Sequence, residues 1–127
     1  MEIIIREACA EDIALLVQNN MALAEETEAL HLDESVLTKG IEQALNRAEC
    51  HYFVAEISGK VVGQTMITYE WSDWRNGIIW WIQSVYVLPE TRKQGVFKSL
   101  FKHIESLARN HDQVKALRLY VMQGNSR

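Results

Sequence analysis

The sequence predicts one α/β domain: a mixed, mostly antiparallel sheet flanked by helices, in the order β-α-α-β-β-β-α-β. Three observations carry this. Apolar spacing along the 127 residues switches between the two-residue period of strands and the one-sided spacing of helices. Two turn signals, Ser58-Gly59 and Asn76-Gly77, divide three β-rich runs in the manner of a meander. The third run then passes through Pro89 and a basic turn into an amphipathic helix before another β-rich run. A helical crossover of that kind makes the last strand parallel to its predecessor.

Each element follows from its residues. Ile3-Ile4-Ile5-Arg6 reads as a strand. Glu11 and Asp12 suit a helix start, and Ile13, Leu16, Val17 and Leu23 or Ala24 continue one face to about Glu25. An acidic connection from Glu25 to Asp33 is expected next. A second helix begins at Glu34, with Leu37, Ile41, Ala44, Leu45 and Ala48 on one side and Gly40 weakening it slightly. His51–Ile57 and Val61 to about Glu70 form a hairpin, where Gly63 is a candidate bulge. Trp71–Gly77 reads as a loop, and Ile78–Val87 as the third strand of the meander. After Gly95 the apolar positions Phe97, Leu100, Phe101, Ile104, Leu107 and Ala108 fall on one helical face. Lys115–Val121 is the last strand.

Composition narrows the classes. Apolar content of 48% and charged content of 24% are those of an ordinary globular domain. A net charge of −4 lacks the basic footprint of a nucleic-acid binder. No apolar run is long enough to span a bilayer, and the N-terminus has no signal-peptide core, so no membrane partner is expected. Cys9 and Cys50 form no metal spacing and read as free, partly buried thiols of a reducing cytoplasm. His31, His51, His103 and His111 show no metal spacing either, and His103 and His111 read as exposed helix residues.

The chemistry concentrates at Val85-Tyr86-Val87-Leu88-Pro89 and the turn Arg92-Lys93-Gln94-Gly95. Pro89 ends the ladder because it has no N–H to donate. A helix start then offers unpaired N–H groups and the positive end of its dipole. Glycine there lets a ligand approach the backbone, and Arg92 and Lys93 add full charge. Together these predict a site for phosphate or pyrophosphate.

Val85–Pro89 followed by Arg92-x-x-Gly95-x-Phe97 resembles the acyl-CoA signature of the GNAT superfamily of N-acetyltransferases, Gln/Arg-x-x-Gly-x-Gly/Ala. Arg92 and Gly95 match it; Phe97 departs from it. The element order is also similar over nearly the whole chain. The resemblance implies acetyl-CoA as co-substrate and a small amine or peptide amine as acceptor. It implies that the backbone of Val85, Tyr86 and Val87 pairs with the pantetheine arm, with the Val87 N–H facing the thioester oxygen. N–H groups of Lys93, Gln94, Gly95, Val96, Phe97 and Lys98 would wrap the pyrophosphate, flanked by Arg92.

For a general base the candidates are Glu70 and the acidic run Glu25, Glu26 and Glu28, placed in a loop on the acceptor side. Trp71 and Trp74 would add aromatic surface for a cationic amine. The family pattern continues past the last strand with a helix that usually carries an acid tyrosine and a closing pair of strands. Gln123–Arg127 reads as the start of that continuation, with Asn125 opening the helix, so the fold is expected to be C-terminally shortened. Tyr120 is the nearest tyrosine, and the last strand is left as an open edge that a second copy could cover as a homodimer. Two other readings stand beside the enzyme: a GNAT-like module that binds CoA with little or no turnover, and a non-enzymatic α/β interaction domain.

Overall fold

A computed structural model describes residues 2–119. Among these residues five strands form one sheet in the order β1-β2-β3-β4-β5. These are β1 (Ile3–Glu7), β2 (Cys50–Ile57), β3 (Lys60–Ser72), β4 (Gly77–Val87) and β5 (Val114–Leu119). Neighbours run antiparallel except β4 and β5, which are parallel, as the crossover requires. The helices are α1 (Ile13–Glu28), α2 (Glu34–Leu45) and α3 (Val96–Arg109). Tyr120 and the segment with Asn125 lie outside the described residues.

Strand alternation gives the sheet two apolar faces, and each is covered. On one, Val96, Leu100, Ile104 and Ala108 of α3 pack on Phe53, Ala55, Val62, Ile67, Trp80 and Ile82. On the other, Leu16, Val17, Ile41 and Ala44 of α1 and α2 pack on Tyr52 and Val54. Each large apolar side chain buried in this way contributes about 1.5–3 kcal/mol. Gly63 lets α3 approach the sheet closely, because a Cβ there would stand 2.7 Å from Cγ1 of Val96.

The structure corrects four local readings. Glu25, Glu26 and Glu28 are not in a loop but in the last turn of α1. No glycine or proline stops the helix before it closes at Ala29, which takes a left-handed conformation at φ 52°. Leu30 then donates its N–H to the Ala24 carbonyl at 3.2 Å. The bulge expected at Gly63 falls beside it, where Val62 is the extra residue between the Ala55–Gly63 and Glu56–Val61 pairs. The loop at Trp71–Gly77 is shorter, since Trp71 and Ser72 still pair with Ile78 and Gly77. His103 and His111 are half-buried, their rings edge-on to Phe53 and Trp80. Both cysteines are free, Cys9 exposed and Cys50 half-buried.

Candidate functional site

The basic turn is built from two left-handed residues. A short 3-10 turn at Pro89–Thr91 leaves β4, Arg92 is extended, and Lys93 and Gly95 have φ of 70° and 86°. A side chain in that region costs about 1–2 kcal/mol, which is why the second position is glycine. The first bond of α3 runs from the Ser99 N–H to the Gly95 carbonyl at 3.0 Å. The N–H groups of Val96, Phe97 and Lys98 therefore have no acceptor among the described residues, and Gly95 brings no side chain to cap them. A Cβ on Gly95 would meet nothing within 4 Å, so the space before the helix start is open. Val96 is buried against the sheet, whereas the Phe97 ring is partly exposed and lies 6.2 Å from that of Phe101.

The strand leading into this turn changes its facing halfway. The Ile78 N–H bonds the Gln113 carbonyl beside β5 at 2.8 Å, so Ile78, Trp80 and Ile82 turn their amides toward β5. Met66 pairs with Gln83 but Gln64 pairs with Tyr86, so an extra residue sits in β4 at Ser84-Val85. Ser84 has φ 55°. Beyond this bulge the Leu88 N–H bonds the Val62 carbonyl at 2.9 Å. Alternation then turns Tyr86 toward β3 and Val87 outward. The Val87 carbonyl is met on that outer side by Nε of Arg92 at 2.9 Å. Register with β5 runs only to the Ile82–Leu119 pair among the described residues.

Next to this edge stand a carboxylate, a phenol and a guanidinium. Tyr86 donates its hydroxyl to Oε2 of Glu26 at 2.7 Å. Arg92 donates to Oε1 of Glu26 at 2.9 Å and lies 5.3 Å over the Tyr86 ring. Burial first, and then the Glu26 carboxylate, push the Tyr86 hydroxyl up to about 12, so it remains a neutral donor.

The site residues expected from sequence thus divide into two groups. Glu26, Val85, Tyr86, Val87 and the segment from Arg92 to Lys98 come together where β4 meets α3. Glu25 and Glu28 are exposed on the last turn of α1 beside Glu26. Glu70, Trp71 and Trp74 lie at the opposite end of the β3–β4 hairpin. Glu70 pairs with Ile79, roughly 25 Å from Val87 at about 3.3 Å per strand residue, and accepts a hydrogen bond from Nε1 of Trp81 at 2.5 Å. Trp74 is 94% exposed at the hairpin tip. A cavity of about 480 Å³ also lies at the far end, lined by Phe53, Tyr69, Trp80, His51, His103 and His111.

Sequence reasoning missed the Ser84 bulge and the residues behind it. A signal was present: Gln64-Thr65 and Gln83-Ser84 are polar pairs inside apolar strands.

Solved structures show the same architecture. A possible acetyltransferase from Clostridium difficile 630 superposes with a TM-score of 0.91 at 44% identity, covering 99% of this chain and 84% of its own. A predicted acetyltransferase from Clostridium acetobutylicum, solved with acetyl-CoA, gives 0.78 at 18%, covering 96% and 82%. A ribosomal-protein-alanine N-acetyltransferase from Brucella melitensis biovar Abortus 2308 gives 0.78 at 14%, covering 97% and 82%. No curated protein gives a significant match. The fold is the one these acetyltransferases share. The model of the Acetyltransferase (GNAT) family matches residues 17–127, and the chain belongs to that family.

Proposed function

We propose that the protein moves an acetyl group from acetyl-CoA to a primary amine by direct attack. The observation that carries this is the pairing of acceptor-free N–H groups at Val96–Lys98 with an outward-facing Val87 amide one turn away. Acetyl-CoA brings the activated thioester. The three N–H groups, with Lys93 and Lys98, would hold its pyrophosphate. The outer edge of Val85 and Val87 would take the amides of its arm like an added strand. The Val87 N–H would face the thioester oxygen, where negative charge grows as the amine nitrogen bonds to carbon.

Glu26 is the best-placed base. Its carboxylate would take the ammonium proton, the free amine would bond to the carbonyl carbon as the C–S bond breaks, and the second N–H proton would pass through water to the departing thiolate. Glu70 has no part in this step because of its distance along the sheet. A cationic amine suits the acidic end of α1, where Glu25 and Glu28 flank Glu26. The outer edge of β5, which no described strand covers, would take a second copy. Light scattering tests that, and a monomer at high concentration would reject it.

Calorimetric titration with acetyl-CoA, followed by thiol release over a panel of amines, tests the activity. Binding with turnover is expected, and Glu26→Gln should lower kcat about 10²–10⁴-fold. Binding without release on any amine would reduce the protein to a CoA-binding module. Absence of binding would leave an interaction domain.

A further inference from the structure

We infer that Gln64 and Thr65, two side chains of β3, are positioning residues: they hold the Ser84 bulge in β4 and thereby aim the Val87 N–H. The inference rests on the transferase reading above and names residues that neither the signature motif nor the site itself contains.

Both side chains are completely buried, at 0% exposure. A polar group is rarely buried so deeply without a specific partner. Here both partners are carbonyls of the bulge. Nε2 of Gln64 donates to the Ser84 carbonyl at 3.2 Å, and Oγ1 of Thr65 donates to the Gln83 carbonyl at 2.9 Å. A carbonyl can only accept, so the amide nitrogen of Gln64 must be the atom facing it. That leaves Oε1 of Gln64 buried and without a partner among the described residues. The Gln64 side chain is therefore not placed to satisfy its own hydrogen bonds. It is placed to satisfy the Ser84 carbonyl.

The two grip the bulge from opposite sides. Successive strand residues point to opposite faces of the sheet. Gly63 faces Val96 and Leu100 of α3, so Gln64 faces α1 and Thr65 faces α3. An extra residue interrupts the regular ladder. These two side chains add donors to the carbonyls of Ser84 and Gln83 at that interruption.

The consequence is one of facing. Up to Ile82 the outward amides of β4 fall on even residues, and beyond the bulge they fall on Val85 and Val87. Were Ser84 drawn into a regular ladder, the register beyond it would slip by one residue. The Val87 N–H would then turn into β3 and away from the thioester. Serine gives no conformational reason for a left-handed residue, since its Cβ disfavours one. The bulge must be imposed from outside: Gln64 and Thr65 hold its backbone carbonyls, while the Tyr52 hydroxyl meets only the Ser84 side chain.

The test uses wild type, Gln64→Leu, Thr65→Val and Thr65→Ser. Two quantities are read: the three-bond HN–Hα coupling with the Cα shift of Ser84, which report its positive φ, and acetyl-CoA affinity by calorimetry, with KM and kcat. Each of Gln64→Leu and Thr65→Val should lose the Ser84 signature and bind acetyl-CoA about tenfold more weakly, the scale of one buried hydrogen bond. Thr65→Ser keeps the hydroxyl and should recover both. Adding Ser84→Gly to Thr65→Val should restore part of the affinity, because glycine accepts the left-handed conformation without help. Should the β3 variants fail to fold, Ser84→Val strikes the bulge directly and should weaken binding in the same way. A folded Thr65→Val that keeps the Ser84 signature and wild-type affinity overturns the inference, as does Thr65→Ser behaving like Thr65→Val. If wild type binds no acetyl-CoA, the transferase reading fails on its own, and the Ser84 coupling still decides whether these side chains hold the bulge.

Discussion

The two halves of β4 differ in their neighbours and in the facing of their amides. From Gly77 to Ile82 the strand lies between β3 and β5, and Ile79, Trp80 and Ile82 are buried. Beyond the bulge at Ser84 the strand keeps β3 on one side and turns the Val87 amide away from it. The first half stabilises the fold through apolar contact. The second turns the Val87 amide to an edge that no described strand pairs, the proposed ligand edge, and its polar neighbours are Glu26, Tyr86 and Arg92. One strand thus carries both structure and site, separated by a single residue in a left-handed conformation.

This division can be broken from either end. Ile82→Ala removes a side chain at 1% exposure and should lower stability by about 2–5 kcal/mol in denaturant titration, while the folded fraction keeps its acetyl-CoA affinity. A matching loss of affinity per folded molecule would erase the distinction between the halves. Gly95→Glu should do the reverse. It puts a carboxylate where phosphate is expected and a side chain at φ 86°, so binding should weaken at least about a hundredfold while stability falls by about 1–2 kcal/mol. Unchanged affinity in that folded variant would remove the site.

A smaller effect sharpens the contrast through pH. Tyr86 is pushed up to about 12, above its unfolded value of 10.0, so the folded state holds its proton longer than the unfolded chain. That contribution is intact below pH 10 and is lost as pH rises toward 12. Tyr86→Phe should flatten this fall by about 1–2 kcal/mol in urea titrations between those pH values. Parallel slopes for the two proteins would show that Glu26 and the buried setting do not act on Tyr86.

The sequence made the fold legible because each element has one dominant period and its turns are local. Gly95, with its strand before and amphipathic helix after, marked the helix start with acceptor-free N–H groups, the proposed anion end, from residue types alone. What could not be read depends on contacts between distant residues. Glu26 was a candidate from its acidic run, but its place on α1 and its bonds to Tyr86 and Arg92 depend on the helix running one turn further than its apolar face suggests. Glu70 seemed near the third strand because the hairpin is local, yet antiparallel pairing sends it to the far end. The Ser84 bulge was hidden for a related reason. No residue in β4 asks for it, and the groups that hold it sit on the neighbouring strand.

The most direct test of the account follows backbone amides of uniformly ¹⁵N-labelled protein during titration with CoA. Saturable shifts are expected at Val87 and at Val96, Phe97 and Lys98, with Ile78, Trp80 and Ile82 unmoved. Saturation with those four amides unchanged, or with shifts gathered instead around His103 and His111, would contradict it.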